Sequence, residues 1–304
     1  MILVRLMGGL GNQMFHYAFG LYLASKNNTV LKLDKSLLFD DMNFSATGEY
    51  RDFGLNMFAI SAPDATDAEI NKYNPTPTLS LPERAFYKIR NKLFPNTTIV
   101  QDSHVFNSEH LKLKNEVCIV GRWQSEKYFT EAKAELRNEF QFKDVLDTPN
   151  ASIASSIKKG NSVAVHVRRS DYVTNKIYFE GLGALDKRYY DAAIAMIKSR
   201  VDNPHFFVFS EDIDWCKANI QEANTTYVAQ DNSSRSAEFD MHLMSLCKHQ
   251  VISNSTFAWW GAWLSETPSS IIVAPGNWAK TDPFNPPFII PDRWMKVSNR
   301  FEGS

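Results

Sequence analysis

Val163-Ala164-Val165-His166-Val167-Arg168-Arg169-Ser170-Asp171-Tyr172 is the stretch on which the reading of this chain turns. Its apolar, β-branched start reads as a buried strand, and the strand discharges at once into a histidine, two arginines and an aspartate. Ligands of open α/β sheets bind beyond the carboxyl ends of parallel strands, so paired guanidinium groups at that place suit an anion, a phosphate first of all. His166 and Arg168 alternate with Val165 and Val167, which puts both polar groups on one face. The plainer account has one arginine solvated and the other paired with Asp171.

Working outward, strands and helices alternate. A helix is expected near Lys187 to Arg200, then a strand Phe206 to Phe209 ending in Ser210-Glu211-Asp212, and a helix to about Ile220. A strand Thr226 to Val228, a helix Ala237 to Lys248, a strand Gln250 to Ser253, a helix from Thr256 and a strand Ile271 to Val273 complete a doubly wound parallel sheet. Ser210 can cap the helix after its strand, and the acids that follow suit that helix's positive end. The spacing of Asp212 and Asp214 also resembles the acidic pair that holds a divalent metal in many sugar-nucleotide enzymes, although capping explains it more simply. Asn254-Ser255-Thr256, between a strand and a helix, offers side-chain and backbone donors to a phosphate, or else a helix cap.

The N-terminal half opens as βαβ: a strand Met1 to Met7, Gly8-Gly9-Leu10-Gly11-Asn12-Gln13, a helix over Met14 to Leu23, and a strand Val30 to Asp34. Glycines there let backbone N–H groups approach a ligand. A dinucleotide fingerprint using Gly9, Gly11 and Asp34 is incomplete, because Met14 stands at the third glycine position. A tight turn joining strand to helix is the structural alternative. Residues 39–95 read as loops and short helices broken by Pro75, Pro77 and Pro82. Further strands are expected at Ile99 to Gln101 and Val117 to Gly121, with a helix over Thr130 to Phe140. Trp123, Tyr128 and Phe129 suit a core better than a sugar platform. A linker near Asp147 to Asn150 divides the chain into residues 1–150 and 151–304.

The 304 residues carry 33 basic and 34 acidic side chains, so bulk charge selects neither nucleic acid nor a membrane surface. Cys118, Cys216 and Cys247 are widely spaced within apolar segments and read as reduced core thiols without metal spacing. The opening strand is too short for a signal peptide or membrane anchor, so Asn43, Asn96 and Asn254 read as chance glycosylation matches, and the expected location is cytoplasmic, with at most peripheral membrane association.

Four ordered motifs together carry a resemblance: Gly8 to Phe15, His166 to Tyr172, Leu243 to His249 and Asn254 to Gly261. The chain resembles the bacterial α-1,2-fucosyltransferases of glycosyltransferase family eleven from residue 1 to about 280. The resemblance implies a GT-B architecture, two α/β lobes with parallel sheets facing a central cleft, the first on the acceptor side and the second binding the donor. It further implies GDP-β-L-fucose as donor, inversion at the anomeric carbon, the 2-hydroxyl of a terminal galactose as acceptor, and no metal or other cofactor. His16 departs from the Gln common after Gln-Met-Phe, and Ser170 from a Gly common before the aspartate. Residues 55–115 carry no motif to transfer.

On this resemblance Arg168 meets the charge that grows on the departing diphosphate, helped by Ser255, Thr256 and the glycine loop Gly9, Gly11, Asn12 and Gln13. His166, Arg169, Ser210, Asn254 and Phe257 join the donor site, with Glu211 or Asp212 accepting from the guanine. Asp171 is the first candidate for the base that takes the galactose proton and Glu180 the second, unless Asp171 serves only to orient Arg169. An NAD-dependent oxidoreductase built on Gly9 and Gly11, and a non-catalytic carbohydrate-binding protein, are the alternatives. The first has no role for Arg168 and Arg169, and the second leaves the arginines and Asn254-Ser255-Thr256 without a phosphate to hold.

Overall fold

The computed structural model describes residues 1–39, 52–73, 98–101, 105–228, 236–282 and 285–303, together with residues 82 and 89. It divides into two compact units, Met1–Lys143 and Asp144–Ser304. Asp147, Thr148, Pro149 and Asn150 are not a linker. Asp147 caps a helix, Thr148–Lys159, by accepting from the Asn150 N–H at 3.0 Å, with Pro149 in the first turn, where its missing N–H is harmless. The signal taken as a domain break is therefore a helix start inside the second unit.

In the first unit β1 (Ile2–Arg5), β2 (Leu31–Asp34), β3 (Thr98–Gln101) and β4 (Val117–Val120) form a parallel sheet in the order β2-β1-β4-β3. Ile2, Leu3 and Val4 are fully buried, as an unbroken apolar run requires of a strand covered on both faces. The helix that follows, Leu10–Lys26, is longer than its apolar segment suggested and buried almost all round. It lies against the sheet at Gly20, where an added Cβ would fall 2.3 Å from Val4 Cγ2 and 2.8 Å from Leu31 Cδ1. Its other side meets the aromatic cluster: Phe19 lies 4.6 Å from Trp123 and 4.8 Å from Tyr128, ring centre to ring centre, and Trp123, Tyr128 and Phe129 are buried. These aromatics are core, as expected. The helix expected over Thr130 to Phe140 begins as a 3-10 turn, Thr130–Ala132, and continues as Lys133–Glu139. Between residues 39 and 95 a 3-10 turn, Gly54–Met57, and a helix, Asp67–Tyr73, are described; Pro75 and Pro77 lie outside the described residues.

In the second unit β5 (Asn161–Val167), β6 (Pro204–Ser210), β7 (Thr225–Val228), β8 (His249–Val251), β9 (Ile272–Pro275) and β10 (Met295–Val297) form a parallel sheet in the order β10-β9-β8-β5-β6-β7. β10 has only three residues and was not anticipated. The helices Lys187–Lys198, Ile213–Asn219, Ser236–Leu246 and Thr256–Ser265 stand where the alternation placed them. Register decides what comes together. Val167 pairs with Ser210 and Val165 with Val251, so the residues just past β5, β6 and β8 emerge side by side.

The three cysteines are buried and unbridged. Among the described residues no helix is long and apolar enough to cross a membrane.

Candidate functional site

Past β5 the backbone enters a short helix, Ser170–Thr174, with Arg169 at its N-cap position. The two adjacent arginines have separate partners. Arg168 places Nη2 2.7 Å from Asp171 Oδ1, pairs through Nη1 with Glu211, and lies over the Tyr172 ring at 5.6 Å. Arg169 donates from Nε to Asp212 Oδ2 at 2.9 Å and from Nη1 to Glu302, and its guanidinium lies 4.5 Å from the centre of the Trp215 ring. Neither is left to solvent, and Asp171 pairs with Arg168, not Arg169. The Arg168 side chain is 26% exposed against 11% for Arg169, so Arg168 is the one an incoming anion can reach.

Two guanidinium groups thus face four carboxylates, those of Asp171, Glu211, Asp212 and Glu302. The arrangement carries surplus negative charge around the cation that a phosphate would need. Carboxylate oxygens occupy the planar donor fork of Arg168 in the way phosphate oxygens would, and a diphosphate must replace at least one of them.

The turn after β6 sorts the residues proposed there. Ser210 Oγ accepts from the Asp212 N–H at 3.0 Å, and Asp212, not Ser210, caps the next helix, its Oδ1 accepting from the Trp215 N–H at 3.1 Å. Asp212 therefore spends one oxygen on the cap and the other on Arg169. Glu211, the other carboxylate considered for guanine, pairs with Arg168 and makes no helix cap.

Ser253 lies past β8, where its Oγ is 2.9 Å from Nδ1 of His166 on β5, whose ring centre lies 5.6 Å from that of Phe257. Burial, with Arg168 nearby as the lesser cause, pulls the imidazole down to about 3, so it is neutral at physiological pH. The Asn254 amide nitrogen is committed within the fold. The residue is fully buried, and its Nδ2 donates to the Gly183 and Trp278 carbonyls, each at 3.0 Å, fastening two loops to the end of β8. Tyr172 Oη in turn donates to the Asn254 carbonyl at 3.2 Å. Ser255 occupies the N-cap position of Thr256–Ser265 but its side chain makes no cap bond. That helix start, with Thr256 and Phe257 half-buried beside it, retains N–H groups suited to an anion.

Glu180 stays apart. It is exposed on the helix Lys176–Gly181, its carboxylate 3.8 Å from Lys176, and enters none of the arginine pairs.

In the first unit, Gly8 adopts φ +70°, a conformation that favours glycine, and nothing lies within 4 Å of where a Gly9 Cβ would sit, which leaves that backbone open. Gly11 is buried in the first turn of the helix. Asn12 Oδ1 accepts from Gln124 at 2.9 Å. Gln13 is committed within the fold: its amide donates to the Gly8 and Asp52 carbonyls at 2.9 and 2.8 Å and accepts from the Gly54 N–H at 3.0 Å. It shapes the loop rather than offering groups to a ligand. Asp34, the residue a dinucleotide reading requires, is fully buried, bonded to Arg5 Nε at 2.6 Å and to the Ser36 N–H at 2.9 Å. No carboxylate oxygen is left there for a ribose.

Sequence reasoning missed Glu302, Trp215 and Ser253. Ser253, directly before the Asn254 motif, was legible as the next strand-end hydroxyl, whereas no pattern announced Glu302.

Comparison with known proteins places the chain in a family. The family described as glycosyl transferase family 11 matches residues 1–286. An alpha-1,2-colitosyltransferase of Escherichia coli is 36% identical over 310 residues, covering 97% of this chain and 98% of that protein. The O-antigen biosynthesis glycosyltransferase WbnK of the same organism is 30% identical over 90% and 93% of the two chains. Human galactoside alpha-(1,2)-fucosyltransferase 1 is 28% identical over 45% of this chain and 40% of its own. Among solved structures, NodZ alpha-1,6-fucosyltransferase soaked with GDP-fucose superimposes with a TM-score of 0.51 at 13% identity, over 86% of this chain and 91% of that one, a likeness of fold alone. Two α/β units on parallel sheets are the GT-B architecture. With a match that runs through the glycine loop, the arginine strand and the Asn254 motif alike, the chain belongs to glycosyltransferase family 11.

Proposed function

We propose that this glycosyltransferase moves L-fucose from GDP-β-L-fucose to the 2-hydroxyl of a terminal β-galactose, with inversion and without a metal ion. The observation that carries the reading is Arg168, a partly exposed guanidinium at the end of β5 whose fork is held by two displaceable carboxylates. As the sugar–phosphate bond breaks, charge grows on the β-phosphate, and a preorganised cation beside it lowers the barrier. The Ser255 hydroxyl and the uncapped start of Thr256–Ser265 supply further donors. When phosphate takes the fork, Asp171 is released as an acceptor for the galactose proton. His166, neutral and fixed beside Ser253, donates or accepts toward GDP without adding charge.

Metal independence follows from assigning the charge of the leaving group to Arg168. The engagement of Asp212 with the helix cap and with Arg169 supports reading it as structural rather than as a cation ligand.

The test is twofold. Thermal melting with GDP, NAD and free oligosaccharides comes first, because a ligand that binds only the folded chain raises its apparent stability. GDP is expected to stabilise the protein and NAD not; a larger shift with NAD at equal concentration defeats the reading. Transfer to lactose and to Galβ1-3GlcNAc and Galβ1-3GalNAc units is then compared for GDP-fucose and GDP-colitose. Faster transfer from the latter would move the donor sugar to the 3-deoxy analogue.

A further inference from the structure

The tail of the chain reaches into the arginine site. Residues 299–303 lie beyond the part matched to the family, which ends at 286. They are nonetheless fastened along the segment before the helix Lys187–Lys198. Phe301 is buried and bridges Leu185, the Asp186 N–H donates to the Arg300 carbonyl at 3.3 Å, and the Glu302 N–H donates to the Ala184 carbonyl at 2.8 Å. Lys280 Nζ holds the Glu302 carbonyl at 3.0 Å. With its backbone fixed in this way, Glu302 directs its carboxylate onto Arg169 Nη1.

Arg169 is then bracketed: Asp212 on Nε, Glu302 on Nη1, and the Trp215 ring against its guanidinium. Its backbone has a second duty. The Arg169 carbonyl accepts from the Val173 N–H at 3.0 Å and opens the helix that carries Asp171 and Tyr172, while Arg168 precedes it directly. Whatever fixes Arg169 also fixes the aim of Arg168 and Asp171.

We propose that Glu302 is a positioning residue for the donor site: it acts through Arg169 to hold Arg168 and Asp171 in the geometry that receives the nucleotide diphosphate. This rests on the reading of that site as the GDP site.

The experiment titrates GDP by calorimetry into the wild type, Glu302→Ala and Glu302→Gln, and follows amide hydrogen exchange over residues 168–174 in all three. Losing a charge-assisted bond of this kind should weaken GDP binding about tenfold in Glu302→Ala. Glu302→Gln, which keeps an acceptor for Arg169, should recover most of the loss, and exchange over 168–174 should quicken in the alanine variant. If the wild type binds GDP and Glu302→Ala binds it equally well, the proposal is overturned whatever the exchange shows. If the wild type binds no GDP, the GDP reading fails, and exchange alone judges the positioning role: unchanged exchange in Glu302→Ala overturns it.

Discussion

Arg168 and Asp171 are bound to each other, Nη2 to Oδ1 at 2.7 Å, within a single turn of backbone. The group proposed to meet the diphosphate and the group proposed to take the acceptor proton are thus each other's partner before any ligand arrives. Under that proposal, competition for one guanidinium would couple the two halves of the reaction, with a donor that takes the Nη2 prong of Arg168 releasing Asp171. Such an exchange of partners keeps the cation oriented without leaving a half-buried charge uncompensated.

Arg168→Lys is expected to impair turnover almost as severely as Arg168→Ala. An ammonium is a point charge and cannot reproduce the two-pronged contact that the guanidinium makes. Loss of such a donor to the transition state typically costs on the order of 100-fold or more in rate. Steady-state kinetics of both variants provide the check, and a lysine variant near wild-type kcat would show that charge alone suffices there.

For the base, Asp171→Asn should depress the single-turnover rate without weakening GDP binding, because the amide keeps the shape but cannot accept the proton and competes less for Arg168. Glu180→Gln should be mild, since Glu180 is exposed and its carboxylate lies 3.8 Å from Lys176. If Asp171 serves instead to orient Arg168, its loss will weaken GDP binding together with turnover. A normal single-turnover rate in Asp171→Asn would remove it as the base.

Much of this was legible in the sequence because it is local. The run Val163 to Val167 has to be a buried strand, and residues two or three positions past it have to stand at the sheet edge. Local pattern does not reveal partners. It showed two arginines and several acids, but pairing Arg169 with Glu302 joins positions 133 residues apart and needs the tail's return to Ala184. Polar residues in a motif also look alike whether they face a ligand or hold the fold, which is why Gln13 and Asn254 were read as donor contacts and are found holding loop backbone. The linker expected at Asp147 to Asn150 is a helix start for a related reason: Asp, Thr and Pro are equally the signature of one, and the division between the two units falls just before it, at Lys143 and Asp144.

Activity is expected to survive removal of divalent ions. In the proposed mechanism the charge of the leaving diphosphate falls to Arg168. An EDTA-treated assay with Mn²⁺ or Mg²⁺ added back decides it. Complete loss on chelation with recovery on addition would return the charge-stabilising role to a metal.

Stability should fall in mild acid, and His16 should account for a measurable share of the fall. His16 is 1% exposed in the helix Leu10–Lys26, and burial pulls it down to about 3, with the Gly121 backbone a smaller opposing influence. Below pH 6.5, the ordinary histidine value, the unfolded chain takes up a proton that the folded chain refuses, so the folded state loses ground as pH falls through the window from 6.5 towards 3, and above 6.5 the loss is absent. Between pH 7.5 and 5.5 one such histidine costs about 1.4 kcal/mol. Glutamine, which the family resemblance places at this position, has no proton to gain. Urea unfolding of wild type and His16→Gln at the two pH values should show a smaller acid loss in the variant by about that amount. His166, also held near 3 by burial, remains in both proteins and cancels from the comparison. Parallel losses in the two proteins would mean that His16 takes up its proton in the folded state as readily as in the unfolded chain.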